Sequence, residues 1–152
     1  MIEIVLYQPE IPPNTGNIGR LCVCNDLRLH LIQPLGFSIE DKYLKRSGMD
    51  YWQHLKLNVH ESFDALRKNL GFERKYWFFT TKAKSSIWET SFAKDDVLVF
   101  GPETRGLPAE ILQQNQNYQV LIPMLSTNKR SLNLATSVGI ASYEALRQIV
   151  SA

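Results

Sequence analysis

The chain has 152 residues, 44% of them apolar and 21% charged. That is the size of one domain and the composition of a chain that buries a core, so an intrinsically disordered polymer is excluded. Its 17 Lys and Arg against 15 Asp and Glu leave a net charge of +2, which excludes a histone-like protein held to a polyanion by bulk charge; any such binding must come from local patches.

Short apolar runs alternate with helical patterns. Ile2 to Leu6 predicts a first strand, ended by the turn-rich Gln8-Pro9-Glu10-Ile11-Pro12-Pro13-Asn14. A helix is expected from Thr15 to Asn25, with Asn14 or Thr15 as its N-cap. Leu29 to Ile32 predicts a second strand, closed by Pro34 and Gly36. Asp41 to Ser47 predicts a helix, Leu55 to Val59 a weak strand, and Ser62 to Leu70 a helix that Gly71 stops. Tyr76 to Thr80 and Val97 to Phe100 predict strands, the latter a continuous buried run. Pro108 to Gln114 predicts a helix, Tyr118 to Ile122 a strand, and Leu132 to Val150 a long C-terminal helix with Ser131 as its N-cap and Asn133 in its first turn. This β-α alternation implies an α/β fold, a mostly parallel sheet flanked by helices in a single domain spanning residues 1–152.

Cys22 and Cys24 stand two apart, too close for an unstrained disulfide, and are expected to be reduced. His30, His54 and His60 lack the spacing of a metal site, so no metal is expected. No basic leader precedes the first strand, and no apolar run approaches the ~20 residues of a membrane span. The expected location is the cytoplasm.

Three segments carry chemistry. Asn14-Thr15-Gly16-Asn17-Ile18-Gly19-Arg20 follows a strand and opens a helix, where free N–H groups attract anions and Arg20 can fork onto a phosphate. Val97 to Pro108 runs a buried strand into a loop holding Gly101, Glu103, Arg105 and Gly106, at the end of a strand where open α/β sheets bind ligands. Leu107-Pro108 replaces the Lys-Ser/Thr of a P-loop, and no G-x-G-x-x-G is present, which argues against an NTPase and a nicotinamide-binding domain. Val120 to Met124, a polar loop, and Arg130-Ser131-Leu132-Asn133-Leu134 make the third segment. The helix beyond it carries the small residues Ala135, Gly139, Ser142 and Ala145.

In this order the segments resemble the three motifs of the SPOUT class of RNA methyltransferases: N-T-G-N-I-G-R, F-G-P-E-T-R-G-L-P and I-P-M…R-S-L-N-L. The resemblance covers nearly the whole chain. It is strongest to the single-domain enzymes that methylate the ribose 2′-hydroxyl of the wobble nucleotide, cytidine or uridine 34, of tRNA, whose intermediate segment is also similar to Asp41 to Tyr51. The resemblance implies a C-terminal deep trefoil knot, a homodimer, and S-adenosylmethionine as cofactor. By position, Phe79, Thr80, Gly101, Glu103, Ile122, Met124, Ser131, Leu132 and Asn133 would hold the cofactor. Gly101 is expected to leave it room.

Arg20 matches the family's first-motif arginine. With a pKa above ~12 it is a poor base, so it is expected to hold a phosphate and developing oxyanion charge. Asn14 and Ser131 are expected to orient the ribose, and Glu103 is the carboxylate candidate for base or positioning work. Arg20, Lys42, Lys45, Arg46, Lys129 and Arg130 are the expected RNA contacts with an anticodon stem-loop. Tyr43, Tyr51 and Trp52 either stack on unpaired bases or belong to the core. The chain ends at Ala152 without an appended RNA-binding domain, so recognition is expected from the catalytic domain and its dimer partner. Two rival readings are a non-catalytic RNA-binding module with a relic pocket and a small-molecule α/β enzyme.

Overall fold

The computed structural model describes residues 1–40, 42, 44, 50–128 and 130–152. Six apolar runs become the strands of one sheet: β1 (Glu3–Tyr7), β2 (Arg28–Ile32), β3 (Lys56–His60), β4 (Tyr76–Phe79), β5 (Val97–Phe100) and β6 (Gln119–Val120). Their order is β3-β2-β1-β5-β4-β6, and every pairing is parallel. From β1 the chain builds outward to β2 and β3, crosses to β4 on the other side, and then inserts β5 between β4 and β1. The loops leaving β1 and β5 therefore diverge and open a crevice at the carboxyl ends of these strands, the switch point where such sheets bind ligands.

Both faces are covered, which is why the strands read as continuous apolar runs. Ile4, Leu6, Leu98 and Phe100 point to one face, where they pack with Ile18 and Cys22 of α1 (Pro12–Cys24) and with Val138, Ala141 and Ala145 of the long C-terminal helix (Leu134–Val150). Val5, Val97 and Val99 point to the other, with Leu66 of α2 (Phe63–Leu70) and Leu112 of α3 (Ala109–Gln114). The C-terminal helix is α4. Each such side chain fully buried contributes roughly 1.5–3 kcal/mol, so two-sided burial of the central strands is the main stabilising term. Cys22 is buried and Cys24 exposed, both free, and burial pushes the Cys22 thiol up to about 12. Among the described residues no helix is long and apolar enough to cross a membrane.

Element types agree with the sequence reading, and the ends differ for identifiable reasons. The first helix starts at Pro12, with Ile11 as its N-cap and no capping side chain of its own. Neither Asn14 nor Thr15 caps it; two prolines supply the φ of a first turn and need no N–H partners. Gly16 and Gly19 consequently lie inside the helix. A Cβ on Gly19 would stand 3.2 Å from Trp52 and Leu55, so this glycine admits a packed tryptophan rather than a ligand. Tyr51 donates its hydroxyl to the Gly16 carbonyl. Tyr51 and Trp52 are both half-buried and contact α1 in this way.

Ser62 caps α2 as its position suggests, accepting from the Ala65 N–H at 3.1 Å. The strand expected over Tyr118 to Ile122 shrinks to Gln119–Val120, because Tyr118 closes a 3₁₀ turn (Gln116–Tyr118) and Leu121 continues only as a bridge to Ser86. The last helix begins at Leu134 and its N-cap is Asn133, not Ser131: the Asn133 side chain accepts from the Ala135 and Thr136 N–H groups. The helix expected over Asp41 to Ser47 lies outside the described residues, apart from Lys42 and the fully buried Leu44.

Candidate functional site

The three segments converge at the carboxyl ends of β4, β5 and β6. At the end of β5, Gly101 enters a tight turn closed by the Gly106 N–H donating to the Pro102 carbonyl at 2.9 Å. Gly106 itself has φ +69°, the left-handed region that favours glycine. Leu107, 5% exposed, anchors the turn in the second core. A Cβ on Gly101 would stand 2.3 Å from the Leu107 nitrogen and 2.4 Å from the Gly106 carbonyl carbon. The space that Gly101 leaves is therefore filled by the loop's own backbone, not kept for a ligand, which corrects the role expected for it.

Two carboxylates clasp this turn to the start of α1. Glu103 accepts from the Glu10 N–H at 2.8 Å and the Ile11 N–H at 3.1 Å. It thus supplies, from 92 residues away, the cap that α1 lacks locally. In return Glu10 accepts from the N–H of Thr104 at 3.0 Å and its hydroxyl at 2.7 Å. Those two hydrogen bonds, aided by the Arg105 charge, hold the Glu10 carboxyl below its usual range. The Asn14 amide donates to Glu103 at 3.4 Å, and its oxygen accepts from the Asn133 amide at 3.0 Å. With Asn133 capping α4, a hydrogen-bonded chain Glu103–Asn14–Asn133 joins the three segments.

These contacts bear on two expected roles. Both Glu103 oxygens accept hydrogen bonds at the α1 N-terminus, which is positioning, one of the two tasks expected of it. Asn14 is 7% exposed and its amide bonds Glu103 and Asn133, so it ties the loops together at the cavity wall.

The clasped loops wall a cavity of about 410 Å³. Phe79, Thr80, Gly101, Glu103, Ile122, Met124, Ser131, Leu132 and Asn133 all line it, as expected, and so do Asn14, Lys82, Leu107 and Ser137, of which the sequence reading assigned no cofactor role. Phe79 and Phe100 stack with centroids 4.6 Å apart and form its apolar floor. The Thr80 N–H donates to Val120 at 3.0 Å, and the Thr80 hydroxyl accepts from the Lys82 N–H at 3.2 Å, which fixes the wall on the β4 side.

Arg20 is exposed on α1 and does not line the cavity, because α1 turns Asn14, Ile18 and Cys22 inward and Arg20 away from them. It lies near Tyr51: burial pushes the Tyr51 phenol up, and the Arg20 charge pulls it down. Arg130 is exposed beside Ser131 at the cavity's edge. Lys42 is exposed; Lys45, Arg46, Tyr43 and Lys129 lie outside the described residues.

Sequence reasoning missed a buried cluster on the opposite sheet face. The carboxylate of Glu3 can only accept, so His30 Nε2 donates to it at 2.9 Å; His30 Nδ1 lies 3.0 Å from His60 Nε2. Arg74 donates to Glu3 at 3.1 Å, and Arg28 approaches it at 3.8 Å. Parallel register sets Val5 beside His30 and Ile32 beside His60, which brings the histidines together despite a sequence separation of 30. Among the described residues, no group of three His, Cys, Asp or Glu could hold a metal ion.

The family model of the SpoU rRNA Methylase family matches residues 1–143. The chain belongs to that family. A tRNA (cytidine(34)-2′-O)-methyltransferase of Methylovorus glucosotrophus is 52% identical over 149 residues, covering 97% of this chain and 96% of that protein. One of Saccharophagus degradans is 49% identical over 150 residues, covering 98% and 96%. A solved structure that concerns the 2-OH methylation of C/U34 on tRNA has 45% identity and a TM-score of 0.95, covering 100% of this chain and 98% of its own. The single α/β domain with its parallel sheet is thus the fold of this family's members.

Proposed function

We propose that this chain is an S-adenosylmethionine-dependent methyltransferase acting on the ribose 2′-hydroxyl of nucleotide 34, cytidine or uridine, of tRNA. The observation that carries the reading is the convergence of the three segments on one cavity at the switch point of the sheet. The names of the relatives support the same substrate. With the substrate come a C-terminal trefoil knot, as the family resemblance implies, a homodimer, the anticodon stem-loop as partner, and a cytoplasmic location.

The cavity fits the cofactor. About 410 Å³ lies in the range of small-molecule sites, roughly 300–1,000 Å³. Its walls are apolar at Phe79, Leu107, Ile122 and Met124, suited to a purine face, and carry hydroxyls at Thr80, Ser131 and Ser137. Bound there, S-adenosylmethionine supplies a methyl group already activated as a sulfonium. The protein's part is alignment and charge. Leu132 and Ser131 form the exposed lip, where the Ser131 hydroxyl would hold the ribose. The Glu103–Asn14–Asn133 chain and the Glu10 clasp keep the lip and the β5 loop in one arrangement. Arg20, outside the cavity, is assigned to the phosphate beside the target nucleotide, with Arg130 at the edge; Lys42, Lys45, Arg46 and Lys129 extend the RNA contact.

The test is methyl transfer from labelled S-adenosylmethionine into total tRNA, followed by mapping of the labelled nucleotide. A 2′-O-methylated residue at position 34 is expected. Label at another position overturns the substrate, and cofactor binding without incorporation into any RNA returns the non-catalytic reading.

A further inference from the structure

The connection from β4 to β5 displays one large aromatic side chain to solvent. Trp88 is 70% exposed, whereas its neighbours Ala83, Ile87 and Phe92 are buried at 9%, 2% and 7%. Trp52 packs on α1, and Trp77 donates to Asp96 at 2.7 Å. An exposed tryptophan on a loose loop would need no explanation. This loop is held at four points. The Ile87 N–H donates to the Leu121 carbonyl at 2.8 Å, and the Leu121 N–H donates back to Ser85 at 2.9 Å. Glu89 accepts from the N–H and hydroxyl of Ser86 at 2.9 and 3.0 Å, closing the turn around Trp88. Gln148 of α4 grips the far side, accepting from the Phe92 N–H at 2.8 Å and donating to the Thr90 carbonyl at 3.0 Å.

The place matters as much as the rigidity. Leu121, to which the turn is bonded, lines the cavity, as does Lys82 on the same connection. Lys82 and Lys84 are exposed, and Glu89, the residue after Trp88, spends its carboxylate on Ser86. An exposed indole on a tethered turn, on the same connection as two exposed lysines of which Lys82 lines the cavity, has the chemistry of a stacking platform for an unpaired base with its phosphate held alongside. Rigid presentation lowers the entropy lost when the base docks.

We propose that Trp88 stacks on an unpaired nucleobase flanking the target nucleotide, with Lys82 and Lys84 holding the adjoining phosphates. This rests on the reading of the substrate as single-stranded anticodon-loop RNA. A second protein copy could also cover an exposed tryptophan, but the flanking lysines and the tie to the cavity wall favour a polyanion with aromatic bases.

The experiment uses the full chain and a synthetic anticodon stem-loop RNA. Its affinity is measured together with KM for RNA, KM for S-adenosylmethionine, kcat, and sedimentation, for wild type, Trp88→Ala and Trp88→Phe. Trp88→Ala is expected to weaken RNA binding roughly tenfold, with the loss in KM for RNA. Cofactor KM and sedimentation are expected to be unchanged, and Trp88→Phe to recover most of the affinity. RNA binding by Trp88→Ala equal to wild type overturns the platform. So does a change of oligomeric state in Trp88→Ala, which would make Trp88 a protein contact. Wild-type protein that methylates the stem-loop while Trp88→Ala behaves identically refutes this inference alone; wild type that neither binds nor methylates it refutes the substrate reading and the inference with it.

Discussion

Replacing Gly101 with alanine tests whether the cavity wall has the geometry described. The added Cβ would meet the Leu107 nitrogen at 2.3 Å and the Gly106 carbonyl carbon at 2.4 Å, against 3.4–4 Å for an ordinary contact. Both obstacles are backbone, so no side-chain rotation relieves them. The turn must move by about 1 Å, and overpacking of this kind costs about 1–3 kcal/mol. It cannot move freely, because Leu107 is buried on one side and Thr104 is bonded to Glu10 on the other. For a domain of this size that loss lowers Tm by roughly 2–4 °C per kcal/mol.

The displacement falls on the wall of the cavity proposed to hold the cofactor, so affinity should suffer beyond stability. A misplacement of about 1 Å can cost about 10²-fold in rate. Gly101→Ala is expected to weaken S-adenosylmethionine binding at least about tenfold in calorimetry at a temperature where the variant is folded. Gly106→Ala is the control: its Cβ meets nothing within 4 Å, but φ is +69°. It is expected to lose about 1–2 kcal/mol to backbone strain with a smaller effect on affinity. Wild-type Tm and affinity in Gly101→Ala, or equal affinity losses in the two variants, would refute the steric argument.

Glu103→Ala removes the cap of α1 and is expected to destabilise by about 2 kcal/mol in chemical denaturation. Glu103→Gln keeps an acceptor oxygen and should retain most turnover if the role is positioning; equal collapse of turnover in both variants would restore the general-base role. Acid should destabilise in two limbs. His60 is held below its ordinary 6.5 by burial and then by the His30 charge, so protons favour the unfolded chain as pH falls below about 6.5. Burial alone would raise Glu3, but the His30 hydrogen bond and the charges of His30, Arg28 and Arg74 outweigh it and hold it below 4.5. Its stabilisation is present above 4.5 and lost as pH falls through the lowered value. His60→Gln should flatten the upper limb of Tm against pH and leave the lower one; an unchanged upper limb would count against the buried histidine pair. The Ser142 hydroxyl is buried and has no hydrogen-bond partner among the described residues. Ser142→Ala should therefore leave the thermal midpoint equal or higher, and a fall would show that the hydroxyl is hydrogen-bonded.

The fold was legible because each strand is a short apolar run bounded by turn residues. Val97–Phe100, buried on both faces, emerges with its sequence-predicted ends. Ends governed by distant groups were not legible. Local rules name Asn14 or Thr15 as the cap of α1, since both side chains suit the task. The protein starts the helix three residues earlier, at Pro12, and takes its cap from Glu103. Asn133 likewise displaces Ser131 because its amide is already fixed by Asn14, which leaves its oxygen aimed at the first turn of α4.

The same physics explains what the site reading lacked. Apolar cavity walls follow from strand ends, so Phe79, Ile122 and Met124 were within reach of pattern and resemblance. Glu10 was not, because its value lies in a partner 94 positions away. A carboxylate in a turn after a first strand reads as a solvated charge. Only the β1–β5 pairing sets its loop against the one carrying Glu103 and Thr104. The two acids then exchange places: each caps backbone N–H groups in the other's loop, which converts like charges at a switch point into a reciprocal clasp. A loop that must close on a cofactor needs walls that do not drift. Here the rigidity comes from chain ends that the sheet topology brings together, and hence from positions whose neighbours in sequence say nothing of their task.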